Sequence, residues 1–108
     1  MLVKKVLTIY LGRNSPRDIT VKQDGVPVPF VSLGATSLAV ELDGTEYSSN
    51  DGYVAFDNNG VVTLTLGSLT NISKGKRNAR LIMYSDTYKR GKVLLSEKTE
   101  YRLVLDFV

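Results

Sequence analysis

Apolar and polar residues alternate with a period of two along most of this chain, the spacing of side chains on the two faces of a β-strand. No window of ten or more residues places apolar side chains at i, i+3, i+4 and i+7, so no amphipathic helix is predicted. The first strand is predicted over about residues 4–11, with Leu7, Ile9 and Leu11 on one face and Val6, Thr8 and Tyr10 on the other. Residues 12–16 end it, and residues 19–23 lead into Asp24-Gly25, a pair suited to a two-residue hairpin turn. The return over 26–30 carries Pro27 and Pro29, which confine it to a sheet edge or an extended loop, because proline has no N–H for a ladder.

The same pattern continues. A strand over 36–42 points Leu38, Val40 and Leu42 one way, turns at Asp43-Gly44 and returns through 45–47. Residues 52–56 and 61–66, joined by Asp57-Asn58-Asn59-Gly60, make the clearest hairpin, with Val62, Leu64 and Leu66 facing inward. Residues 67–78 read as the longest irregular connection, with room for one helical turn around 69–72. Strands over 80–85, 92–95 and 101–107 follow, the last with Tyr101, Leu103, Leu105 and Phe107 on one inward face. About eight or nine short strands with turn signals every 8 to 12 residues or so predict an all-β chain, one domain over 1–108. An antiparallel two-sheet sandwich is the preferred reading and a partly open barrel the alternative. The strand at the C-terminal end predicts that Val108 is tied into a sheet.

Composition narrows the chemistry. The 108 residues include no His and no Cys, which excludes an imidazole base, a thiolate nucleophile, disulfides and the usual Cys/His zinc sites. No P-loop and no nucleophile elbow occurs, and paired carboxylates such as Asp51 with Asp57 have no supporting pattern, so an enzyme is not expected. No apolar run approaches the roughly 18 residues of a membrane helix, and a soluble protein is expected. The opening segment, with Lys4 and Lys5 ahead of an apolar stretch, lacks the long apolar region and cleavage site of a signal peptide, so Met1 reads as a true start.

Charge is divided along the chain. Residues 23–73 contain no Lys or Arg and carry six acids, whereas residues 1–22 carry +4 and residues 74–108 carry +5. If the flanking strands share a sheet, the molecule acquires an acidic and a basic pole, an arrangement suited to head-to-tail association or docking on a charged lattice. The basic stretch Lys74, Lys76 and Arg77 and the turn Tyr88, Lys89 and Arg90 are candidate partner-binding residues. They could also contact phosphates, but the acidic middle segment disfavours nucleic acid as a main partner. Tyr47 and Tyr53 are candidate interface tyrosines, whose simpler reading is half-burial on a sheet face. The Asp, Asn and Gly residues around 43–46, 50–52 and 57–60 offer oxygen ligands, yet turn chemistry explains them without Ca²⁺, so neither metal nor cofactor is expected.

The final third, with Arg80-Leu81-Ile82-Met83-Tyr84-Ser85-Asp86, the turn Arg90-Gly91 into Lys92-Val93-Leu94, and the alternating strand 101–107, resembles small accessory proteins of tailed bacteriophages. The resemblance covers about a quarter of the chain, and the basic turn Tyr88-Lys89-Arg90 departs from the more neutral turn of that pattern. It implies an immunoglobulin-like sandwich and a virion structural component, either a capsid decoration or cement protein or a tail or baseplate piece, with no catalytic residues. The expected partners are other virion subunits or further copies of the chain, and the expected location is the virion. Two competing readings are a carbohydrate- or cell-surface-binding module using Tyr47, Tyr53 and the Asp/Asn loops, and a nucleic-acid-binding β domain using the basic flanks.

Overall fold

The period-two pattern resolves into eleven strands in a computed structural model that describes residues 3–96, 98 and 101–108. Met1, Glu97 and Glu100, which entered the reading of the start and of the charge balance, lie outside the described residues. The strands are β1 (Val3–Ile9), β2 (Arg17–Thr20), β3 (Lys22–Gln23), β4 (Val26–Pro27), β5 (Ala35–Leu42), β6 (Thr45–Ser48), β7 (Val54–Phe56), β8 (Val61–Leu64), β9 (Gly75–Ser85), β10 (Lys92–Leu95) and β11 (Tyr101–Phe107). A six-stranded sheet runs in the order β1-β11-β9-β5-β6, with β10 also on β9. A three-stranded sheet runs β2-β8-β7, and β3 and β4 form a separate hairpin. The described residues contain no α-helix, and the expected turn around 69–72 is irregular; a single 3-10 turn, Ser49–Asp51, is the only helical element among them.

One pair departs from the antiparallel expectation. β1 lies parallel to β11, with Val6 beside Val104 and Ile9 beside Phe107, so the sheet is mixed. Alternation reports which face a residue takes and carries no direction, which is why the sequence pattern did not reveal it. The pairing continues past the strands: Val108 N–H donates to the Ile9 carbonyl at 3.0 Å, and Leu11 N–H to the Val108 carbonyl at 3.2 Å.

The inward faces of these sheets meet in one core. Leu7 and Ile9 from β1, Leu38 and Val40 from β5, Val62 and Leu64 from β8, Leu81 from β9, and Leu103, Leu105 and Phe107 from β11 belong to a single buried cluster. Removing each of these side chains from water is worth about 1.5–3 kcal/mol, the main favourable term for an all-β chain without cross-links. Phe30 belongs to this core although it leaves the strand pattern: it is fully buried from the connection after β4 and meets Phe56 edge to face at 6.0 Å. Tyr101, expected on the inward face, is 55% exposed, because it enters β11 beyond the edge of the core.

Backbone chemistry sets the corners. Asp24-Gly25 and Asp43-Gly44 both adopt positive φ at both residues, at 53° and 78° and at 51° and 82°, the geometry of the hairpin turn read from those pairs. The strand expected over 19–23 changes partner at Val21, whose N–H donates to the Gly60 carbonyl at 2.7 Å, so β2 pairs with β8 and β3 with β4. Gly67 lies against the turn after β1: its carbonyl accepts from Gly12 N–H at 2.7 Å, and a Cβ there would fall 1.9 Å from the Arg13 carbonyl oxygen.

Candidate functional site

β9 decides where the candidate residues fall. It begins at Gly75, so Lys76 and Arg77, expected in an irregular connection, are strand residues, and Lys74 is exposed just ahead of them. At ~3.3 Å per residue, eleven residues span roughly 35 Å. Lys74 and Lys76 therefore stand at one end of the molecule, and Tyr88, Lys89 and Arg90, in the turn beyond Ser85, at the other. The fold does not bring the two basic clusters together.

Several of the expected partner-binding side chains are engaged inside the protein. Arg77 Nε forms an ion pair with Asp43 Oδ2 at 3.0 Å, its Nη2 donates to Ser73 Oγ at 2.8 Å, and its guanidinium carbon sits 5.8 Å from the Phe107 ring centre. Tyr47 is 7% exposed, stacks edge to face on half-buried Tyr53 at 5.4 Å, and accepts from Asn71 Nδ2 at 3.5 Å. The expected surface from Tyr47 and Tyr53 is thus a packed pair, with Tyr47 offering almost no contact area. Tyr88 is 41% exposed, with Lys92 Nζ 5.1 Å from its ring centre; Lys89 and Arg90 are exposed.

The expected acidic and basic poles are also reorganised. β5 belongs to the acidic segment and pairs antiparallel with basic β9, which sets acids and bases side by side. Glu41 faces Arg80 across the ladder, and their side chains approach to 3.3 Å. Tyr84 donates its hydroxyl to Glu46 Oε1 in a short bond. That bond, with partial burial and the nearby charges of Glu46 and Glu41, pushes the Tyr84 hydroxyl up to about 12. The Asp and Asn loops serve their own turns: Asp57 Oδ1 accepts from Asn59 N–H at 2.8 Å and Val61 N–H at 3.0 Å, and Asn58 and Ser32 are joined by two bonds of 3.0 Å. Among the described residues no group of three acids converges on one point.

What the strand pattern does not report is a groove of about 650 Å³ between the β2–β3 segment and the margin formed by β10 and β11. Its walls include Lys5, Lys22 and Arg102, the acids Asp18 and Asp24, and the apolar surfaces of Ile19, Leu95 and Tyr101. A smaller hollow of about 220 Å³ continues it, sharing Val21, Lys22, Leu95 and Tyr101 and adding Lys92 and Val93. Asp18 accepts from Thr63 Oγ1 at 2.7 Å. Among the described residues, Lys5, Lys22 and Arg102 make no ion pair, and the buried Nε of Arg102 meets no hydrogen-bond acceptor.

Neither a family model nor a curated protein matches the chain. Lys22 and Lys5 are exposed strand residues that no motif marks, and the groove arises where two sheets fail to close over each other. The signal available in sequence was the polar run Lys22-Gln23-Asp24, which identifies surface without saying which surfaces face one another. No helix among the described residues is long and apolar enough to cross a membrane.

Proposed function

We propose that the chain is a non-enzymatic structural subunit of a tailed-phage virion, an immunoglobulin-like sandwich that binds neighbouring virion proteins. The residues that carry the resemblance to phage accessory proteins lie on β9, on the turn into β10, and on β11. These elements adjoin in the larger sheet, and their margin forms one wall of the groove. The observation that carries the reading is this margin, where Val93 and Tyr101 are 47% and 55% exposed beside cations that make no ion pair among the described residues. Half-exposed aromatic and aliphatic side chains on a rigid sheet, with charge at the rim, are the composition of a protein contact. Engagement of Tyr47 with Tyr53 removes support from a carbohydrate platform built on that pair, and separation of the basic clusters along β9 removes a continuous phosphate track.

Quantitative mass spectrometry of purified particles made by the genome that encodes the chain tests this reading. A fixed copy number relative to the main shell or tail protein, retained through washing, is expected. Absence from the particles overturns it.

A further inference from the structure

The two halves of the chain's charge are treated differently by the fold. Glu41 and Asp43, from the acidic segment, find Arg80 and Arg77 on the neighbouring strand. Lys5, Lys22 and Arg102 line the inter-sheet groove on three separate elements and, among the described residues, make no ion pair. Cations that line a groove without an acidic partner favour a ligand that brings its own carboxylates.

We infer that this groove binds an extended acidic segment of a partner polypeptide, with carboxylates directed at Lys22 and Arg102 and apolar side chains placed on Leu95, Val93 and Tyr101. The inference deepens the contact role proposed above and rests on it. Two properties select a polypeptide. The groove is floored by apolar side chains, which a sugar-phosphate chain does not require. β10 pairs with β9 alone among the described residues, so its outer edge offers main-chain groups to an incoming extended segment. The register shift between Val93 and Leu95 breaks the regularity of that edge and limits ladder pairing to a short stretch, which leaves charge to supply much of the recognition.

Nuclear magnetic resonance titration of the isotope-labelled chain tests the inference, with a short end-capped peptide of alternating Glu and Val as probe. A peptide of alternating Gln and Val and a single-stranded oligonucleotide serve as comparisons. Expected are amide shifts centred on Lys22, Val93 and Arg102 with the Glu peptide. Binding should weaken by about tenfold or more in Lys22→Glu, and again on raising salt from about 0.05 to 0.5 M. Lys22 is an exposed side chain, and an unchanged amide spectrum elsewhere confirms that the variant is folded. No shifts with the Glu peptide, equal binding of the Gln peptide, unchanged affinity in Lys22→Glu, or preference for the oligonucleotide overturns the groove assignment. Whether the chain is a particle subunit is settled independently by its copy number in particles.

Discussion

The seam between β5 and β9 and the groove beside β10 and β11 are built from the same kinds of residue and reach opposite outcomes. In the seam, Glu41 and Asp43 meet Arg80 and Arg77 on the adjacent strand, and Glu46 accepts the Tyr84 hydroxyl. In the groove, Lys5 and Lys22 are exposed and Arg102 is half-buried, with no ion pair among the described residues. The difference lies in strand pairing. An antiparallel ladder places residues from distant parts of the chain directly opposite one another, so a sequence with separated charges neutralises itself wherever an acidic strand lies beside a basic one. Charges that face a gap between sheets have no such neighbour and remain available to a partner.

Loosening β9, the strand that both regions border, should have the largest effect. Leu81 is fully buried on β9 and lies opposite Val40 on one side and Leu95 on the other. Leu81→Ala is expected to cost about 2–5 kcal/mol, read as a lowered urea midpoint, and to weaken groove binding as the margin loosens. Arg77→Ala attacks the seam alone. It removes an ion pair, a hydrogen bond to Ser73 and packing over Phe107, and should cost about 1–2 kcal/mol in the same measurement while leaving binding to the Glu and Val peptide unchanged.

Tyr84→Phe probes the seam through pH. The Tyr84 hydroxyl is raised from 10.0 to about 12 in the folded state, first by its bond to Glu46, then by burial and the neighbouring carboxylates. A raised folded value means that the folded state holds its proton more tightly, so the contribution is complete below pH 10 and disappears as pH rises from there through about 12. The variant should be about 1 kcal/mol less stable at neutral pH, and its deficit should shrink across that window in denaturation curves recorded beside the unsubstituted chain. Lys22→Glu has the smallest predicted effect on stability, within about 0.5 kcal/mol, despite its large effect on binding. A Lys22→Glu variant that unfolds several kcal/mol more easily would place Lys22 in the structural charge network and erase the contrast with the seam.

Much of the fold was legible because alternation reports burial directly. Val62, Leu64 and Leu66 are fully buried as read, residues 92–95 and 101–107 are strands as bounded, and both Asp-Gly pairs turn as their chemistry requires. Four features were not legible, each for a separate reason. The direction of β1 against β11 leaves no trace in a period-two pattern. The beginning of β9 was hidden because Gly75, Lys76, Arg77 and Asn78 read as a polar connection, although pairing with β11 makes them strand. Phe30 is buried from a loop, where no periodicity operates. The groove depends on how the β2–β3 segment sits against β10 and β11, a relation between residues far apart in sequence. The separated charge was visible, but its reading as two poles missed that β5 and β9 are neighbours.

Groove-directed docking is measured by the copy number, in purified particles, of the unsubstituted chain and of the double variant Lys22→Glu, Arg102→Glu, whose fold is checked first by its amide spectrum. Groove-directed docking predicts a fixed ratio for the unsubstituted chain and loss of the folded variant from the particles. Incorporation of the variant at the same ratio would contradict it.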